Sequence, residues 1–128
     1  MTIKGHDMYQ GSCLCGAVVY QLLGEPRRVS HCHCHMCQKQ HGAAFATYLS
    51  LPATELQYIQ GSGAVTRYQS SATVTRGFCR HCGSTLEWRD TTEPDGYVAL
   101  TVATLDTAFE ITDIPHICTE SRSSWCPC

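Results

Sequence analysis

Cys79-Arg80-His81-Cys82-Gly83 sets two thiols two residues apart and ends on the residue that best relieves a tight turn. Such a turn aims both sulfurs and several backbone N–H groups at one ion. It supplies only half of a tetrahedral site, so two further ligands must come from elsewhere in the chain. The short Cys13-Leu14-Cys15, flanked by Gly11 and Gly16, can supply them from another strand. Together Cys13, Cys15, Cys79 and Cys82 would form a closed site of four thiolates around a structural zinc, with Zn–S near ~2.3 Å.

Cys32-His33-Cys34-His35-Met36-Cys37 is a different arrangement. It offers three thiols in one short stretch, with no fourth cysteine near in sequence. Three protein ligands and one open position are the pattern of a catalytic or substrate-binding zinc. A zinc there would keep Cys32, Cys34 and Cys37 deprotonated and could take an incoming thiol as thiolate at neutral pH. The expected cofactor is Zn2+, two per chain, the second held more loosely. Spacing alone leaves the pairing open: the middle group could also share one site with the others, or stand as reduced thiols.

His31, His33 and His35 alternate with these cysteines. On an extended segment alternate residues face opposite sides, so Cys32 and Cys34 share a face and the histidines turn away from it. Their expected role is supporting or superficial, and His41, His81 and His116 carry no sharper signal. Cys118 and the terminal Cys126-Pro127-Cys128 stand outside the three groups. The expectation for the tail is free, reactive thiols, against a third metal or a redox pair. Arg27, Arg28, Lys39 and Arg122 read as solvated charge, with recognition of a substrate carboxylate as the alternative.

The chain has 128 residues and ten cysteines, and it suits one domain over 1–128, with the motifs in about 9–125. Leu, Ile, Val and Phe make up roughly a fifth of it, thin for a domain of this size. Something besides apolar burial is expected to hold the fold. The net charge is −2, from nine Lys and Arg against eleven Asp and Glu, and no basic run occurs. That argues against nucleic acid as a partner. No apolar run approaches the ~20 residues that span a bilayer, so no membrane partner is expected. Met1–Asp7 carries no secretory pattern, and the expected location is cytoplasmic. A reducing cytosol disfavours disulfides and favours metal binding or catalysis by the cysteines. The oligomeric state is not legible.

Short apolar runs punctuated by glycine recur along the chain, and no long 3.6-residue period appears, so the fold is expected to be mainly β. Strands are expected at Ala17–Tyr20, across Thr73–Trp88 with a turn at Arg80–Gly83, and at Tyr97–Val102. Leu56–Ile59 and Val65–Tyr68 flank Gly61-Ser62-Gly63, which predicts a hairpin. One short helix is predicted after Cys34, through Cys37 to about His41.

At this point the motifs resemble those of the glutathione-dependent formaldehyde-activating enzyme and centromere protein V family. The resemblance is carried by Gly11-Ser12-Cys13-Leu14-Cys15-Gly16, by His31 to Cys37 with Gly42-Ala43-Ala44-Phe45, and by Arg76-Gly77-Phe78-Cys79-Arg80-His81-Cys82-Gly83-Ser84. Ala103-Thr104-Leu105-Asp106, His116-Ile117 and Ser121-Arg122-Ser123-Ser124-Trp125 fit as well. It implies several coiled β-sheets in a tent-like single domain clamped by zinc. It implies a structural zinc at Cys13, Cys15, Cys79 and Cys82, and a second zinc at Cys32, Cys34 and Cys37 beside a glutathione site. The implied activity joins glutathione to formaldehyde, a carbon–sulfur lyase reaction. The extra cysteines at 118, 126 and 128 fall outside this motif set.

Three functions compete. The first is an enzyme whose catalytic Cys32, Cys34 and Cys37 position a small thiol such as glutathione against an electrophilic carbon. The second is a non-catalytic, zinc-stabilised β module for protein binding; the absence of added basic or low-complexity segments weighs against it. The third is a thiol/zinc redox sensor that releases metal on oxidation.

Overall fold

The computed structural model describes residues 9–93 and 96–127. In chain order the strands are Tyr9–Ser12 (β1), Val19–Leu22 (β2), Arg28–Cys32 (β3), Ala46–Pro52 (β4) and Leu56–Gln60 (β5). Then follow Val65–Gln69 (β6), Val74–Cys79 (β7), Thr85–Asp90 (β8), Tyr97–Thr101 (β9) and His116–Ile117 (β10). One α-helix, His35–His41 (α1), lies between β3 and β4. The fold is mainly β, as expected.

The strands form two sheets, one ordered β1-β2-β5 and one ordered β10-β3-β4-β9-β8-β7-β6. Among the described residues every strand pairing is antiparallel except β10 against β3, which is parallel with Ile117 opposite Cys32. That single parallel pair brings the C-terminal segment alongside the middle cysteine group.

The expected hairpin does not form. β5 pairs with β2 in the smaller sheet, whereas β6 pairs with β7 at the edge of the larger one. The glycines mark a break between the two strands, but such a break does not say which partner each strand takes. Gly61 adopts φ +75°, and a Cβ there would lie 2.0 Å from the Ala17 carbonyl oxygen. The chain passes against β2's approach at that point and crosses to the other sheet through a 3-10 turn at Ser62–Ala64.

The main apolar core comprises Tyr20, Leu22, Val29, Leu49, Leu51, Val98 and Leu100, drawn from both sheets. Full burial of each such side chain contributes about 1.5–3 kcal/mol. Two smaller clusters are built around cysteines: Cys13 and Cys79 with Val18, Ala64, Val65 and Leu86, and Cys32 and Cys37 with Ala46 and Tyr48. Sulfur thus takes places that aliphatic side chains would fill in a richer core. A buried carboxylate ties the sheets together. Glu87 of β8 is fully buried and accepts from Arg67 and Arg89, and from the Tyr58 hydroxyl of β5 at 2.7 Å.

Candidate functional site

The first cysteine group forms where two tight turns meet. Gly16, at φ +81°, closes the turn after Cys13 by donating to the Cys13 carbonyl at 3.0 Å. Gly83, at φ +80°, does the same for Cys79 at 2.7 Å. These left-handed positions suit glycine because no Cβ is there to strain them. The turns are stitched together by the Leu14 N–H, which donates to Ser84 Oγ at 2.8 Å.

The sulfurs of Cys13, Cys15, Cys79 and Cys82 all lie within 4.8 Å of one another. Cys13 and Cys15 are 3.6 Å apart, and Cys15 and Cys79 are 3.8 Å apart. A metal ~2.3 Å from each corner of a sulfur tetrahedron sets its edges at about 3.8 Å. The donor set and its spacing therefore fit zinc. Hydrogen bonds from the Ser84 hydroxyl and backbone hold the Cys82 thiol down at about 5. Against the pull of the Ala17 N–H, desolvation and the three neighbouring sulfurs push Cys15 up to about 11. Four sulfurs this close cannot all ionise without a cation among them.

The second group sits at the junction of β3 and α1. β3 ends at Cys32, Cys34 caps α1, and one helical turn brings Cys37 back over the strand end. Gln38 locks this junction: its side chain donates to the carbonyls of His33 and Ser121 at 2.7 and 2.8 Å and accepts from the Ser123 hydroxyl at 2.6 Å. The sulfurs of Cys32, Cys34 and Cys37 lie within 4.8 Å of one another, Cys32 and Cys37 at 3.6 Å. Three corners of a tetrahedron are in place. Among the described residues no histidine joins either sulfur group.

The alternation expected of His31 and His33 holds. Both turn to the other side of β3, where they pack with Phe45 and His116. His33 is fully buried, with Nε2 2.7 Å from His116 Nδ1. Burial lowers the affinity of the His31 and His33 rings for a proton. His35 opens α1 and lies outside both groups.

The second group opens into a cavity of about 310 Å3 whose walls include Ser30, Tyr48, Arg76, Trp88, Ile117 and Cys118. Tyr48 is fixed by His41, with Oη 3.0 Å from Nε2. Burial and the charge of Arg76 hold His41 down at about 4, so the ring that meets the phenol is neutral. Cys37 is held at about 5, through its contact with Cys32 and a hydrogen bond from Arg76, against burial. Burial and the charge of Cys37 keep Tyr48 protonated.

Two of these wall residues were not legible as site residues. Arg76 was visible only as part of a motif, three residues before Cys79; a cation on a strand reads as surface charge until burial is known. Cys118 stands outside the three cysteine groups of the sequence. It is a free thiol in the left-handed region, at φ 55°, placed at the cavity by the parallel β10–β3 pair. Of the cations named from sequence, Arg28 lines the same cavity, Arg27 pairs with Glu55 at 2.8 Å, and Lys39 lines a separate cavity with Met36 and Tyr68. The tail departs from expectation. Cys126 is disulfide-bonded rather than a free thiol, and Cys128 lies outside the described residues. No helix among the described residues is long and apolar enough to cross a membrane.

Comparison with known proteins places this geometry. Residues 8–124 match the family model described as glutathione-dependent formaldehyde-activating enzyme. A Schizosaccharomyces pombe protein named an uncharacterized lyase is 30% identical over 89 residues, which are 70% of this chain and 63% of that protein. The chain thus spans less than two thirds of that relative's length. A Rhodobacter sphaeroides protein of known crystal structure superposes with a TM-score of 0.67 at 25% identity, over 84% of this chain and 98% of that one. Since the family model covers nearly the whole chain and both sulfur groups fall within it, this chain belongs to the glutathione-dependent formaldehyde-activating enzyme family.

Proposed function

We propose that the protein is a zinc-dependent, carbon–sulfur lyase-like enzyme acting on the adduct of a small thiol, glutathione foremost, with formaldehyde or a related small electrophile. The observation that carries this reading is the three-sulfur group Cys32, Cys34 and Cys37 in the wall of a cavity of about 310 Å3. The family supports the thiol, and the name of the yeast relative supports the lyase class.

In this reading Cys13, Cys15, Cys79 and Cys82 hold a structural zinc that pins the β1–β2 turn to the β7–β8 turn. Zinc held by Cys32, Cys34 and Cys37 would keep those sulfurs deprotonated and offer a fourth position to an incoming thiol. Such an electron-rich donor set suits carrying a thiolate rather than polarising a carbonyl. In the forward direction a bond forms between the thiol sulfur and the carbonyl carbon, the C=O π bond breaks, and the carbonyl oxygen takes up a proton equal to the one the thiol gives up. The reverse step breaks that S–C bond.

The chain's own residues shape the reaction. Trp88 and Ile117 give the cavity apolar walls that limit water beside the reacting sulfur. Tyr48, held by neutral His41, presents a protonated phenol there. Gln38 keeps the β3–α1 junction, and so the three sulfurs, in one geometry.

The test is zinc per chain, together with exchange between glutathione, formaldehyde and their adduct followed by NMR. The wild type should hold about two zinc ions and catalyse the exchange. Cys34→Ser should lose one zinc and the exchange while the fold survives. Unchanged glutathione-dependent turnover in a folded Cys34→Ser protein would sink the proposal.

A further inference from the structure

Arg76 is a buried charge that the reaction above does not use. It lies on β7 and is 4% exposed. Its guanidinium donates from Nη1 to Cys37 Sγ at 3.5 Å and to Gln40 Oε1 at 3.0 Å, and from Nε to Ser70 Oγ at 3.1 Å. The ion pairs among the described residues join Arg27 to Glu55, and Arg67 and Arg89 to Glu87; none takes Arg76. A buried cation without a carboxylate is strongly disfavoured unless another anion answers it. The group in contact that can become anionic is the Cys37 sulfur.

Charge arithmetic says what this does. Three thiolates around a divalent ion leave −1, and Arg76 brings that to zero. A fourth thiolate would then raise the buried site only to −1. Without Arg76 the same ligand would bring it to −2. The four-cysteine group needs no such partner, because Cys15 is exposed and water can screen it. Both groups have two buried sulfurs, but in the three-cysteine group none is exposed: Cys32 and Cys37 are buried and Cys34 is half-buried.

Resting on the function proposed above, we infer that Arg76 is a positioning residue for the incoming thiol. Through Cys37 it balances the charge of the buried three-sulfur site, so that the site takes an anionic fourth sulfur. The incoming thiol loses its proton to solvent and no electron changes hands.

The test uses the full chain with cobalt(II) in place of zinc, since charge-transfer absorbance grows with each bound sulfur. Glutathione and 2-mercaptoethanol, which carries no carboxylate, are titrated separately. In the wild type each should add one sulfur's absorbance. In Arg76→Gln both thiols should bind tenfold or more weakly, and Arg76→Lys, which keeps the charge, should recover part of that loss. Cobalt retained at the four-cysteine group reports that a variant is folded. Wild-type affinity for both thiols in Arg76→Gln, or no recovery in folded Arg76→Lys, would overturn the inference. So would a loss confined to glutathione, which would make Arg76 a carboxylate anchor instead. If the wild type itself took up neither thiol, the proposed function would fall first and this inference with it.

Discussion

Glu87 shows at the residue scale how a charge survives in the middle of this fold. Burial by itself raises its pKa, but hydrogen bonds from Arg67, Arg89 and Tyr58 outweigh it and hold the carboxyl below its ordinary value. Breaking one side of such a buried network typically costs about 3–5 kcal/mol. Glu87→Ala should therefore lower the unfolding free energy by about that amount in urea denaturation at pH 7. Because the native value is depressed, the carboxylate's contribution is complete above the unfolded pKa and disappears as pH falls through the native one. His41 acts in the same direction for a different reason. It is neutral in the native state at about 4, whereas unfolded histidine titrates near ~6.5, so the unfolded chain gains protons first as pH falls. From pH ~6.5 down to ~4 this should remove on the order of 2–3 kcal/mol of stability. Replacing His41 with Asn should flatten that part of a stability-against-pH curve; an unchanged slope would refute the assignment.

At the scale of elements, the helix and the two tight turns were readable because their signals are local. Cys34 to His41 carries no strand alternation, and Gly42 follows it in the left-handed region at φ 62°, where a helix ends well. The partners of β5 and β6 were not readable. A glycine pair announces a reversal, but sheet membership depends on what the chain meets far away in sequence. At Gly61 it meets the backbone of Ala17. A methyl group there would face both a left-handed backbone and a carbonyl that cannot yield. Gly61→Ala should therefore destabilise the fold by about 2–3 kcal/mol, measured as a shift in the urea midpoint at constant m-value. Gly63→Ala is its control, since a Cβ at Gly63 meets nothing within 4 Å. The two-residue β10 was recognisable only as the family's His-Ile motif. Too short to show a period, it exists because β3 offers it an edge.

Across the whole molecule, sulfur stands in for part of the missing apolar core. On the proposed assignment, the four-cysteine site joins Cys13 and Cys15 to Cys79 and Cys82 across most of the sequence. A metal bound only by the folded chain adds its binding free energy to stability. Chelation at pH 7 under reducing conditions should lower Tm by about 10 °C or more, roughly 2–3 kcal/mol for a chain of this size. Cys79→Ser should show the same loss without chelator. Cys34→Ser should move Tm much less, because its group lies at one junction and closes no long loop.

From the sequence by itself came the thiol groups, their spacing, the mainly β character and the family, because each depends on a few adjacent residues or on composition. Sequence also marked Cys32, Cys34 and Cys37 as the group lacking a fourth sulfur. The sequence also proposed that Cys13 and Cys15 meet Cys79 and Cys82, and the fold brings those four sulfurs together. Only the tertiary structure decided that β5 and β6 part company, and that Arg76 and Cys118 reach the cavity of the three-sulfur group. The reason is physical. Turn and ligand spacing are governed by backbone geometry over a few bonds, whereas burial of a charge and the choice of strand partner depend on residues that the fold alone brings together.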